Sequence, residues 1–71
     1  MTVEDADAVL RNPSAPVDAR IGAALALKAA GQRVRIADAA APVSDEALRE
    51  ALEAVAAGHD EPEKLAKLLR R

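Results

Sequence analysis

Cysteine, phenylalanine, tyrosine and tryptophan are all absent from the 71 residues, histidine occurs once and glycine three times. Without cysteine there is no disulfide, no thiol nucleophile and no thiolate metal ligand, and the composition favours the cytoplasm over an oxidising compartment. Without aromatic side chains there is no platform on which unpaired bases can stack. The glycines, Gly22, Gly31 and Gly58, lie too far apart for a phosphate-cradling loop. The longest uncharged stretch within a predicted helix, Ile21 to Leu27, falls far short of the ~18 apolar residues a membrane span needs. The first residues carry Glu4 and Asp5 where a secretory leader carries base, so neither a leader nor a membrane anchor is expected. Ten basic and twelve acidic side chains give a net charge of −2, which suits neither a general nucleic-acid binder nor a membrane-surface protein.

What the chain does have is alanine, nineteen of them, beside sixteen valines, isoleucines and leucines. That is a helical composition, and its length suits one domain spanning residues 1–71, either standing alone or forming part of a longer helical-repeat protein. A core made so largely of alanine leaves a narrow stability margin, so close helix packing or a second surface is expected to contribute.

Start and stop signals predict five helices. Thr2 caps the first, whose apolar side is Val3, Ala6, Val9 and Leu10 and whose Asp7 and Arg11 are paired four apart; Asn12-Pro13 ends it. Ser14 caps the second, with Pro16 in its first turn and Gly31 as its stop near Ala30. Between Arg20 and Lys28 this helix has no charge on any side, which predicts a central helix wrapped by neighbours. Gly22 within it lowers helix propensity by roughly 1 kcal/mol relative to alanine, a cost expected to be returned by close approach of another helix. The third helix runs from about Arg33 to Ala40, burying some combination of Val34, Ile36, Ala37 and Ala40. Ser44 caps the fourth, in which Leu48, Leu52 and Val55, flanked by Ala47 and Ala51, form the inner stripe, Asp45, Arg49 and Glu53 lie outside, and Gly58 ends the helix. Asp60-Glu61-Pro62-Glu63 reads as a capping box for a fifth helix with Leu65, Leu68 and Leu69 inside.

Aligning Gly31 with Gly58 superposes Ala24 on Ala51 and Leu25 on Leu52. The segment Asn12 to Gly31 resembles the second helix of a HEAT repeat, with Asn12-Pro13 at the turn, Arg20 as the arginine, Ala23-Ala24 and Ala26-Leu27 as packing residues and Gly31 as the stop. Ala19 stands where that pattern has valine, Asn12 replaces aspartate, and the gap after Pro13 is longer. Val34-Arg35 and Leu48-Arg49 echo the Val-Arg pair in a degenerate second repeat that reaches Gly58. The resemblance implies an all-α, armadillo/HEAT-type arrangement: two antiparallel helix pairs closed by a C-terminal capping helix, used for protein–protein recognition.

The candidate residues for chemistry have plainer roles. His59-Asp60-Glu61 is contiguous, and contiguous loop residues seldom converge on a metal; Gly58 and Asp60 already account for the turn as stop and cap. Glu46, Glu50 and Glu53 lie beside the exposed side of their helix, where nothing desolvates a carboxyl for acid catalysis. Both serines sit at cap positions. Neither a catalytic residue nor a cofactor or metal site is nominated. The helix-Gly31-helix layout, with Arg33 and Arg35 and a basic end of Lys64, Lys67, Arg70 and Arg71, raises a helix-turn-helix alternative, but the second helix offers mostly Val34, Ile36 and alanines where polar readers belong. The reading is therefore a non-catalytic interaction or scaffolding module that binds a protein partner or itself, with Arg20, Arg33 and Arg35 as its partner-binding arginines, since a guanidinium in a helical groove suits a carboxylate.

Overall fold

The computed structural model describes residues 2–59. Four helices fill them and no strand occurs among them: α1 (Val3–Arg11), α2 (Val17–Ala29), α3 (Arg33–Ala40) and α4 (Glu46–Ala57). The predicted fifth helix lies outside the described residues.

Both glycine stops end their helices in the same way. Gly31 and Gly58 adopt φ of +75° and +83°. Gln32 N donates to Leu27 O at 2.8 Å and Gly31 N to Lys28 O at 3.0 Å; His59 N donates to Ala54 O at 2.7 Å and Gly58 N to Val55 O at 3.1 Å. Each pair of bonds is a Schellman closure, which satisfies two otherwise orphaned carbonyls and requires a left-handed residue at the turn.

The helix starts divide. Thr2 caps α1 as expected, its Oγ1 accepting from Asp5 N at 3.1 Å. Ser14 does not cap α2. Ala15 precedes Pro16, which disfavours the helical conformation for Ala15, so the helix cannot begin until Val17, with Pro16 as a cap that has no side-chain acceptor. Ser14 N instead donates to Asn12 Oδ1 at 2.9 Å in the turn that leaves α1. For α4 the cap is Asp45 rather than Ser44, its Oδ1 accepting from Leu48 N at 3.0 Å. A carboxylate is the stronger acceptor and also complements the helix dipole.

The helices sit at the corners of a rhombus. α1 packs mainly on α2, and α3 mainly on α4; α2 also touches α3 and α4, and α1 touches α3, whereas α1 and α4 do not meet. Arg33, which opens α3, lies over Gly58, which closes α4, so these two helices run antiparallel. Leu10, Leu27, Ile36, Leu52 and Val55 are the large side chains wholly enclosed where the four meet. Ala6, Ala23, Ala24, Ala39, Ala40 and Ala51 make up much of the remaining core, and their small size lets the helix axes draw together.

Two packing expectations need correction. Although α2 touches all three other helices, it is not wrapped: Gly22, Leu25 and Ala26 face outward, Leu25 being 38% exposed. An alanine Cβ placed on Gly22 would meet nothing within 4 Å, so no helix exploits that glycine. Of the residues from which the inner side of α3 was to be drawn, Ile36 and Ala40 are buried, joined by Ala39, while Val34 is 74% exposed and Ala37 is exposed. The superposition of Gly31 on Gly58 carries over to Ala24 and Ala51, both fully buried, but not to Leu25, whose counterpart Leu52 is also fully buried. The buried face is thus rotated between the two helices.

Candidate interaction groove

Two interhelical links, residues 12–16 and 41–45, come together at the end of the rhombus where α1 and α3 finish and α2 and α4 begin. Each is built around proline, and the open depression between them has a volume of about 530 Å³. Ala15, Val17, Ala39, Val43 and Leu48 make its apolar wall, with Pro13 and Pro42 at the links. Its polar lining is Arg11, Arg20, Ser44 and Asp45. Proline fixes the backbone of both rims and removes amide donors there, which leaves a pre-shaped concavity of mixed lining.

Arg20 is 8% exposed and is the one buried charged residue among the described residues. It enters α2 one turn after Pro16, and its Nε donates to Leu10 O at 2.9 Å. Leu10 lies in the last turn of α1, where carbonyls lack a helical partner; Ser14 N, which would have reached this one in a continuing helix, is taken by Asn12. Arg20 therefore locks the α1–α2 junction. Its acceptor there is a neutral carbonyl, and no carboxylate among the described residues lies within ion-pair distance of the guanidinium. Arg11, on the rim, is held by Asp7, its Nε lying 3.0 and 3.1 Å from the two carboxylate oxygens.

The three nominated arginines do not form one surface. Arg20 is buried at the groove, held by the orphaned carbonyl of Leu10, a partner that sequence alone does not reveal. Arg33 is exposed and rests its guanidinium against the C-terminal turn of α4, within 3.6–3.8 Å of an added Gly58 Cβ, supplying the cation that this helix lacks in its own last turn. Arg35 is half-buried: Nε donates to Gln32 Oε1 at 3.3 Å, and Nη1 lies 3.9 Å from Asp7 Oδ2, bridging α3 to α1. Asp7 is thus shared by Arg11 and Arg35. Sequence reasoning missed Val17, Val43 and Asp45 as groove residues; the signal available was the pair of proline links at matching helix junctions.

The described residues hold no group of three His, Cys, Asp or Glu side chains close enough for a metal, and no helix long and apolar enough to cross a membrane. His59 lies at the edge of the described chain with its backbone in the α4 closure. Comparison with known proteins returns no matching family model, no matching curated protein and no matching solved structure.

Proposed function

We propose that this chain is a non-catalytic helical interaction module, built as two stacked HEAT-like helix pairs, that binds a protein segment in the groove between its two proline links. The groove itself carries the reading: a concavity of about 530 Å³ with an apolar wall and an arginine at its base, in so small a domain, has the make-up of a recognition site. The pairing of α1 with α2 and α3 with α4, the side-by-side contacts of α1 with α3 and α2 with α4, and the glycine closures at both repeat ends support the HEAT-like comparison. Protein recognition is the use that this resemblance implies; the step from fold to use is analogy.

The nucleic-acid alternative has less behind it. The outward residues of α3 are Arg33, Val34, Ala37 and Asp38, with the half-buried Arg35 tied to Gln32 and Asp7, where duplex readers would be free polar or basic groups.

Panning a random displayed-peptide library against the purified protein tests the module reading. Enriched peptides should perturb the backbone amide resonances of Val17, Val43 and Leu48. Failure to enrich any peptide, or enriched peptides that leave those resonances unmoved, contradicts it.

A further inference from the structure

Arg20 is a buried cation that lines an open groove and has no carboxylate partner among the described residues. Burial limits the water around this guanidinium, and its one hydrogen bond goes to a neutral acceptor, Leu10 O; no buried side-chain nitrogen lacks a partner among the described residues, so its terminal Nη groups keep contact with solvent at the groove. That bond uses Nε, one of the five N–H groups of a planar fork that binds carboxylates in pairs. The rim adds Arg11, and of the groove's own carboxylates there is only Asp45, whose Oδ1 is engaged at the start of α4. Arg11 is already paired with Asp7, so Arg20 is the lining cation with no carboxylate partner among the described residues. Around these groups the wall is made of Val17, Val43, Leu48 and small alanines.

Resting on the module reading above, we propose that the groove's partner is an extended acidic-aliphatic peptide segment of another protein, one of whose Asp or Glu carboxylates becomes the counter-ion of Arg20 while a neighbouring aliphatic side chain packs against Val17 and Val43. Arginine fits this role better than lysine would, because its fork holds the carboxylate in one orientation while Nε keeps the α1–α2 junction closed. A carboxylate delivered to a partly dehydrated guanidinium forms a stronger charge-assisted bond than one met in open water.

The probe is an end-blocked hexapeptide alternating glutamate with valine, set against the same peptide with glutamine for glutamate, both titrated into the full chain and followed by amide NMR. The glutamate peptide is expected to saturate with shifts at Val17, Val43 and Leu48, to weaken as salt is raised, and to bind at least about tenfold more tightly than the glutamine peptide. Replacing Arg20 itself risks unfolding the α1–α2 junction, so the decisive variant is Val17→Glu. Val17 is 42% exposed at the first position of α2, where an acidic residue favours the helix. The fold should therefore persist by circular dichroism while glutamate-peptide binding falls at least about tenfold. Equal binding of the two peptides in the groove would overturn the carboxylate assignment and leave the module reading standing. Absence of groove shifts with the glutamate peptide, or binding undiminished by Val17→Glu, would overturn the proposal outright, the library selection then deciding separately whether the groove binds any peptide.

Discussion

Replacing Gly22 by alanine should stabilise the protein by about 0.8–1.0 kcal/mol, the interval that separates glycine from alanine in a helix interior. Gly22 lies in the middle of α2 on its outward side, its φ is not positive, and an added Cβ has open space around it, so neither strain nor collision offsets the gain. Part of the gain arises in the unfolded chain, which loses conformational freedom when glycine is removed. With an unfolding entropy of about 2.1 cal/mol/K per residue, a chain of this length has roughly 0.15 kcal/mol/K in all, and the substitution should raise Tm by about 6 °C. Thermal unfolding followed by far-ultraviolet circular dichroism, at two protein concentrations, measures this directly. An unchanged or lowered Tm would refute the argument, because it would mean that another surface lies against Gly22 and rejects the methyl group.

Gly58→Ala should act in the opposite direction, because the positive φ at Gly58 forces alanine into the left-handed region. The cost is about 1 kcal/mol or somewhat more, and urea unfolding should show a lower midpoint with an unchanged slope. Asp45→Ala should cost about 1 kcal/mol through loss of the α4 cap. Ser44 makes no such bond, so Ser44→Ala should melt close to wild type, and equal effects of the two substitutions in a side-by-side thermal melt would reject Asp45 as the cap. Leu52 is wholly enclosed in the core. Its replacement by alanine should cost about 2–5 kcal/mol, enough to leave the chain largely unfolded in a proton NMR spectrum at ambient temperature. Val34 is exposed, so Val34→Thr should leave the same spectrum dispersed and the urea midpoint where it was.

Helix ends that depend on local backbone chemistry were legible in the sequence. Gly31 and Gly58 announced their closures because only a left-handed turn residue completes a Schellman motif, and Thr2 announced α1. The fourth helix displayed its inner stripe of Leu48, Leu52 and Val55 because one face is apolar and the other charged. Where two signals competed, the choice was not written locally. Ser44 and Asp45 are adjacent acceptors, and Ser14 was displaced by the restriction that Pro16 places on Ala15. In α2 the absence of charge concealed which side was inward, so Leu25 and Gly22 could be placed correctly only from tertiary contacts. The groove was the least legible feature. It exists because two links from distant parts of the chain meet, and because the Leu10 carbonyl, left without a helical donor, draws the Arg20 side chain inward.

The account turns on Arg20 being at once a buried tether and the cation at the base of the groove, and arginine side-chain Nε–H resonances report both roles. One slowly exchanging Nε–H, assigned to Arg20, should stand apart from those of the exposed arginines, and it should shift when the glutamate-valine peptide is added. An Arg20 Nε–H that exchanges as fast as the others and does not respond to the peptide would contradict the account.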